Sequence, residues 1–360
     1  DMIYLVNCAL HQEIPDTAKV EKMNLAQLFE VCESHILTAC TAYALQSAGI
    51  DDRNFKQAKE KAIRKNILFD MERKKILSQL EKEQIWYMPL KGALLKDWYP
   101  KIGMRQMSDN DILYDGNFRK RVREIMLALE FTCEHYGEGN NDSYLKKPVL
   151  NFEMHHELFT SSHVGKLYEY YRNVKERLVK DEGNSYGYHF TAEDFYIYIT
   201  THEYKHYSSG GTGVRSLVDT YIFMQKFGDS LNWDYIHQEF EKLELTEYEQ
   251  QSRELAMKVF SCEELTEAET KMLDYYILSG TYGTIENSIE HNFQRYANNS
   301  KAKYVLHRIF PSMHEIERYW SFFYRHKWLI PVLWIYRPFH GLISNRQKIK
   351  SELKYLKDKK

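Results

Sequence analysis

The chain of 360 residues is 43% hydrophobic and 28% charged, which is ordinary for a globular protein and excludes wholesale disorder. At about 150 residues per domain, this length predicts two or three domains. The formal charge is −2, so no overall field recruits nucleic acid or a membrane. Residues 301–360 differ, because they contain 14 Lys and Arg against four Asp and Glu.

Cysteine usage and hydropathy predict a cytoplasmic protein. The five cysteines are odd in number and include no CxxC pair, which argues against a disulfide framework and against a thiolate zinc site. We identify no secretory leader, and the longest apolar run, Trp328–Tyr336, is far shorter than the ~20 residues of a spanning helix. We therefore expect no transmembrane segment.

Hydrophobic periodicity divides the chain into three regions. Residues 1–84 have apolar side chains at three- and four-residue spacing, which predicts helices. Short apolar runs then predict strands at Ile85–Leu90, Asp111–Tyr114, Phe131–Tyr136, Tyr144–Lys147 and Leu150–Glu157. Between them we predict helices at Ala93–Tyr99 and Asn117–Glu130, the second capped by Asn117. The helical period returns in Phe195–Tyr207, Val214–Phe227, Asp234–Leu243, Glu247–Phe260 and Glu267–Leu278.

The predicted fold class is α+β and mostly helical, with one small sheet module. We expect a helical N-terminal region at 1–81, an α/β core at 82–160 and a helical C-terminal domain at 161–360. Strands mixed with helices over a short stretch, between long helical regions, are typical of such a module.

Acidic side chains in the core indicate a metal site. Asp109 and Asp111 are two residues apart at the start of a predicted strand, so their side chains share one face. Neighbouring carboxylates stay ionised together only beside positive charge, and a hard cation such as Mg²⁺ prefers oxygen ligands. Glu153, in the last predicted strand, is the candidate third ligand. A carboxylate triad that binds metal suits phosphoryl or nucleotidyl transfer.

Four further residues are predicted to contact a nucleotide: Lys91, Gly92, Arg105 and Ser108. Lys91 and Gly92 lie at a strand-to-helix turn, where a glycine lets the backbone approach a phosphate and the helix offers free N–H groups. Lys91 would meet the triphosphate as a point charge, whereas Arg105 would offer a fork to its oxygens.

The order of these motifs resembles the uncharacterised nucleotidyltransferase family of the polymerase-β-like superfamily. The pattern is Lys91-Gly92-Ala93, Tyr99-Pro100, then Arg-x-Met-x-Asp-x-Asp-Ile-Leu and Glu153-x-His155. The resemblance implies a small mixed sheet between helical domains. It also implies an enzyme that moves a nucleoside monophosphate from a nucleoside triphosphate, such as ATP, to an acceptor hydroxyl with release of pyrophosphate.

The resemblance assigns roles to residues of this chain. Asp109, Asp111 and Glu153 would bind Mg²⁺ or Mn²⁺, and Glu153 would also take the acceptor proton. The acceptor would be a small molecule or a protein, since no basic groove with interleaved aromatics marks the core for nucleic acid. The side chains assigned to the acceptor side are His202, His206, Arg215 and Asp219. Two positions depart from the superfamily pattern: Lys91-Gly92 replaces Gly-Ser, and Asn110 replaces an apolar residue.

Three alternatives stay open at this point. The fold could serve as a catalytically inactive module that binds a nucleotide or a partner. The segment His202-Glu203-x-x-His206 matches a zinc-hydrolase motif, although no third ligand follows it. The aromatic and basic segment Trp320–Ile343 would make weak peripheral contact with a membrane. Packing of this segment on the helical domain is the more common explanation for such a pattern.

Overall fold

The computed structural model of the protein describes residues 1–137, 139–160, 166–297, 300–313, 315–316, 320–344 and 346–358. It is an α+β fold, 64% helical, with a five-stranded mixed sheet. The predicted fold class is therefore confirmed. Within the described ranges, no helix combines the length and the apolar character that crossing a membrane requires. The cysteines are free.

Helices precede the sheet. They are α1 (Met2–His11), α2 (Thr17–Val20), α3 (Leu25–Ser34), α4 (Thr38–Ser47) and α5 (Arg53–Lys82). Asn24 begins α3 and Asp52 begins α5, because each side chain accepts a backbone N–H of the first turn. Buried side chains of α5 recur every seven residues at Phe55, Ala62, Phe69 and Ile76. This spacing keeps one apolar face of the long helix turned to the core.

The sheet has the order β1-β2-β5-β4-β3. Its strands are β1 (Tyr87–Pro89), β2 (Asn110–Tyr114), β3 (Thr132–His135), β4 (Asn141–Lys146) and β5 (Leu150–His155). Strands β2 and β5 are parallel, and the other pairs are antiparallel. Each of these strands lies where the sequence predicts one. The ends differ by a few residues, most at β4, which begins at Asn141.

Two short helical segments connect the strands at the site. The helix α6 (Gly92–Leu95) continues into a 3₁₀ turn, and α7 (Arg119–Ala128) follows a 3₁₀ turn at Gly116–Phe118. The prediction that Asn117 caps the second helix is wrong. The Asp115 carboxylate accepts the backbone N–H of Asn117, so the helical path begins two residues earlier.

Alternation along β2 and β5 separates the two faces of the sheet. Ile112, Phe152 and Met154 are fully buried and belong to the apolar core that contains side chains of α5 and α7. Because successive side chains of a strand point to opposite faces, Asp111 and Glu153 lie on the other face. The sheet therefore has one apolar side and one side that presents acidic groups.

The remaining elements are mainly helical. They are α8 (Leu167–Tyr171), β6 (Val179–Lys180), β7 (Tyr188–His189), α9 (Ala192–Tyr207), α10 (Val214–Phe227), α11 (Trp233–Leu243), α12 (Thr246–Phe260), α13 (Glu267–Ser279), α14 (Ile285–Ala297), α15 (Lys301–Ile309), α16 (Ser321–Arg325), α17 (Ile330–Ser344) and α18 (Arg346–Asp358). The helices predicted between Phe195 and Leu278 are present as α9–α13.

The chain forms two compact units. The first comprises Asp1–His202 and Val214–Leu273, and the second comprises Glu203–Gly213 and Asp274–Lys360. The sheet and the acidic residues lie in the first unit. The predicted boundaries at residues 81 and 160 concern the interior of that unit and stay a prediction.

Candidate active site

Asp111 and Glu153 form the centre of the site. They are direct register partners on the parallel strands β2 and β5, whose backbones lie ~4.8 Å apart. Asp111 is buried, with 4% of its surface exposed, whereas the Glu153 side chain is 28% exposed. One carboxylate is thus fixed inside the protein and the other reaches solvent.

His155 lies on the same sheet face as Glu153, two residues further along β5. Its Nε2 is 2.8 Å from Asp111 Oδ1 and 3.5 Å from Glu153 Oε2. Ligand atoms of Asp111, Glu153 and His155 all lie within 4.8 Å of one another, and among the described residues no other group of three has the geometry to hold a metal ion. Asp109, which precedes β2, is outside this group.

The contact made by the second ring nitrogen of His155, Nδ1, shows which nitrogen of the neutral ring carries the proton. Nδ1 is 3.3 Å from Asn140 Nδ2, and this amide nitrogen also donates to the carbonyls of Glu157 and Leu158. Since the amide nitrogen is a donor, Nδ1 accepts, and the proton of the neutral ring lies on Nε2. His155 therefore donates to Asp111. Burial disfavours the charged ring, but these carboxylate contacts outweigh it and raise the pKa of His155.

Lys91 supplies positive charge to the buried carboxylate. Its Nζ donates to Asp111 Oδ1 at 3.1 Å. Burial opposes ionisation of Asp111, yet the Lys91 charge and the hydrogen bond from His155 hold the pKa of Asp111 well below its usual range. The Lys91 backbone has φ 43° and ψ −115°, a region that side chains rarely adopt. The turn therefore stores strain where it presents the ammonium group.

Asp109 has the opposite electrostatic character. Its burial and the neighbouring charge of Asp111 raise the pKa of Asp109 to about 6. Two carboxylates separated by one residue thus differ in their tendency to ionise. Added positive charge would favour the ionised form of Asp109.

Two further basic side chains donate hydrogen bonds to the loop before β2. Lys65 on α5 donates from Nζ to the Ser108 carbonyl at 2.9 Å, and Arg215 on α10 donates from Nη1 to the Gln106 carbonyl at 3.3 Å. Burial lowers the pKa of both cations, and the charge of Asp109 opposes that shift. Within the described part of the chain, neither has a carboxylate within 4.0 Å. Both are therefore available to an anion.

Arg105 is committed to Asp219 on α10. Its Nε and Nη2 donate to the two carboxylate oxygens at 2.7 and 2.8 Å, and the Tyr99 hydroxyl donates to the same carboxylate at 2.6 Å. The third nitrogen, Nη1, lies where a Cβ on Gly92 would meet it. The expected fork toward a phosphate is thus occupied by Asp219, and Gly92 gives space to Arg105.

Arg215 and Asp219 share α10, four residues apart. No ion pair joins them among the residues described, although a spacing of four permits one. Ser108 is half-buried, and its carbonyl is the acceptor for Lys65.

The histidines of the predicted acceptor side lie on α9. His202 is half-buried, with its ring 6.3 Å from the Tyr198 ring, and His206 is exposed. Glu203 accepts a hydrogen bond from the buried Tyr276 hydroxyl. In a zinc hydrolase this glutamate would face the attacking water, so the zinc reading of His202-Glu203-x-x-His206 is not supported.

The sequence analysis gave no role to three residues that lie at the site, although His155 is part of the quoted family pattern. His155 carried a readable signal, because its spacing of two from Glu153 places both on one strand face. Lys65 and Tyr198 carried none, since α5 and α9 reach the sheet only in the folded chain. Tyr198 is 1% exposed, and its hydroxyl has no hydrogen-bond partner among the described residues. Burial raises the pKa of Tyr198, and the nearby charge of Lys91 opposes the shift.

Comparison with protein families gives one match. The model of a family described as uncharacterised nucleotidyltransferase matches residues 21–261, about two-thirds of the chain. This range includes every residue of the site. Comparisons with curated proteins and with solved structures found no match.

Proposed function

Because the chain belongs to the uncharacterised nucleotidyltransferase family, we propose that it transfers a nucleoside monophosphate from a nucleoside triphosphate to an acceptor hydroxyl. The acceptor oxygen attacks the α-phosphorus, and the bond from that phosphorus to the pyrophosphate oxygen breaks. The acceptor proton passes to Glu153. The observation that supports this proposal most directly is the register pair Asp111–Glu153 on one sheet face.

The acidic residues fit a divalent metal. Asp109, Asp111 and Glu153 offer the oxygen donors that Mg²⁺ and Mn²⁺ prefer. The raised pKa of Asp109 marks a carboxylate that nearby positive charge would stabilise. A bound divalent ion would neutralise the triphosphate and polarise it for attack. His155 would position Asp111 through its Nε2 proton.

Cations around the carboxylates would bind the nucleotide. Lys91, Lys65 and Arg215 would neutralise phosphate oxygens, the last two because they lack carboxylate partners within ion-pair distance among the described residues. Gly92 and Ser108 would contact the nucleotide through the backbone of their loops. Arg105 would act indirectly, since its guanidinium is bound to Asp219.

The residues that we propose to contact the acceptor molecule are taken from the resemblance to the family. We place His202 and His206 on the acceptor side, with Arg215 at the boundary between nucleotide and acceptor. Asp219 would contribute by fixing Arg105 and Tyr99. The acceptor class is a small molecule or a protein.

Thermal unfolding with ATP, GTP, CTP or UTP, with and without Mg²⁺ or Mn²⁺, tests the site. A nucleotide at 100 times its Kd adds ~2.7 kcal/mol to the free energy of unfolding. We expect one nucleotide to stabilise the wild type only with metal, and not to stabilise Asp111→Asn. Asp51→Asn is the matched control, because that side chain is 77% exposed and far from the site in sequence. Equal stabilisation of Asp111→Asn contradicts the proposal.

A binding module without transfer is the second candidate. The contact of Lys91 with Asp111 supports it, since the ammonium already neutralises the carboxylate that would bind metal. Pyrophosphate release separates the two functions. Metal-dependent nucleotide binding without release, across a panel of small-molecule and protein hydroxyl acceptors, favours the binding module.

A further inference from the structure

The region beyond the family match has an unusual surface. Residues 262–360 lie outside the matched range. Half of the large apolar side chains that are exposed among the described residues fall between Val305 and Leu353. Over residues 301–360, Lys and Arg exceed Asp and Glu by ten. Exposed apolar groups and positive charge thus coincide in one segment of the second unit.

The apolar groups form a stripe. Trp328 is 76% exposed, and Val332, Ile335 and Tyr336 on α17 are 53%, 66% and 46% exposed. Val332, Ile335 and Tyr336 share one face of α17 because their spacings are three and one, and Trp328 lies in the 3₁₀ turn Lys327–Leu329 that immediately precedes this helix. We call these residues the Trp328 stripe. Monomeric proteins rarely leave such a contiguous surface in water without a use.

Basic side chains flank the stripe. Arg325 and Lys327 are exposed immediately before Trp328. In the described ranges, neither has a carboxylate within 4.0 Å. Their charge is therefore free to meet an external anion.

We propose that the Trp328 stripe docks on an anionic lipid surface, with Arg325 and Lys327 against the lipid phosphates. Such a surface offers negative charge and an apolar interior within one side-chain length, which matches the two features of this segment. Tryptophan and tyrosine favour the headgroup level of a bilayer. Nucleic acid would bind the basic side chains but would offer no apolar interior to the aliphatic side chains of Val332 and Ile335. This proposal concerns the second unit and is independent of nucleotidyl transfer.

Vesicle flotation of the full chain tests the docking. We would compare phosphatidylcholine vesicles with and without about one-third phosphatidylglycerol, at low and high salt. The wild type is expected to float with anionic vesicles at low salt and to be released by high salt. The variant Arg325→Gln/Lys327→Gln is expected to lose about fivefold in partitioning for each neutralised side chain.

The stripe is tested by Trp328→Ser/Ile335→Ser, with Ile14→Ser as matched control. Ile14 is 72% exposed and lies in the first unit. Because the replaced side chains are already in water, all variants are expected to keep the wild-type Tm. The stripe variant should lose at least about tenfold in partitioning and the control none.

Two outcomes overturn the docking proposal. Absence of wild-type flotation at low salt is one. The other is equal flotation of the wild type and the stripe variant. If the wild type does not float and instead retains single-stranded RNA, the first outcome would also assign the basic residues to nucleic acid.

Discussion

Asp111 and Glu153 stand opposite each other on parallel strands, although a helix and a hairpin separate them along the chain. The parallel pairing of β2 with β5 makes them neighbours, and the pleat turns both away from the apolar core. Lys91 and His155 then both contact Oδ1 of Asp111. The site thus combines a buried carboxylate, Asp111, with the more exposed carboxylate of Glu153.

The buried Asn110 predicts a stabilising substitution. Asn110 is 0% exposed, and neither its Oδ1 nor its Nδ2 has a hydrogen-bond partner among the described residues. We expect Asn110→Val to raise the free energy of unfolding by ~1 kcal/mol, because it removes two unpaired polar atoms and keeps most of the volume. Urea unfolding measures the change.

Asn110→Ala is the matched control for this substitution. It removes the same polar atoms but leaves a cavity, so it should be less stable than Asn110→Val. A lower stability for Asn110→Val than for the wild type would mean that the amide contributes an interaction that outweighs its desolvation.

The ion pair between Arg105 and Asp219 predicts a non-additive effect. Asp219→Leu leaves a buried guanidinium without its partner and should cost ~3–5 kcal/mol in the free energy of unfolding. The double variant Arg105→Met/Asp219→Leu should recover most of that loss. If Arg105 does not contact the nucleotide itself, the double variant should bind the nucleotide with a Kd within a few-fold of the wild-type value. A Kd raised by orders of magnitude would instead indicate direct phosphate contact by Arg105.

Tyr198 and Tyr171 form a matched pair of buried hydroxyls. The Tyr198 hydroxyl has no hydrogen-bond partner in the described part of the chain, whereas the Tyr171 hydroxyl lies 3.2 Å from the Thr201 hydroxyl. Tyr198→Phe should leave Tm nearly unchanged but lower kcat/KM about tenfold, because the charges of Lys91, Asp111 and Glu153 act on its hydroxyl.

Tyr171→Phe should show the reverse. It should lose ~1 kcal/mol of stability, since it breaks a buried hydrogen bond, and keep the transfer rate. Equal rates for the wild type and Tyr198→Phe would remove this tyrosine from the site.

The environment of Glu72 leads us to expect a specific pH dependence of the free energy of unfolding. Its side chain is buried, and Lys146 on β4 donates to it at 3.1 Å. Burial opposes ionisation, but the lysine contacts lower the pKa of Glu72. A lowered pKa in the folded state stabilises the protein above the unfolded value of ~4.3, and this contribution disappears as pH falls through the folded pKa.

Lys146→Met tests that dependence. The variant should be less stable than the wild type by ~1–2 kcal/mol at neutral pH, and the difference should begin to shrink below about pH 4 and vanish once the pH lies below the lowered pKa of folded Glu72. Lys147→Met is the control, because Lys147 is exposed beyond the end of β4. A difference that is constant across this pH range would point to lost packing of the lysine stem.

Much of the fold was readable from the sequence because the signals are local. Strands β1, β2 and β5 are short apolar or alternating runs, and α9–α13 follow a helical period. A period of two or of 3.6 depends only on near neighbours in the chain. The face shared by Glu153 and His155 follows from the same rule. By the same rule Asp109 and Asp111 were expected on one strand face, but β2 begins at Asn110, after Asp109. Glu153 was a candidate third ligand on another strand.

The tertiary structure decided which basic side chain pairs with which carboxylate. Arg105 was expected to bind phosphate and Asp219 to lie on the acceptor side, but packing of α10 on the loop before β2 pairs Arg105 with Asp219. Lys65 enters the site because α5 packs across the sheet. Such contacts join side chains that are distant in the chain, so no local period encodes them. The sequence alone determined which elements form and which residues alternate along each strand, whereas the packing of those elements decided which acids become neighbours and which cation meets which carboxylate.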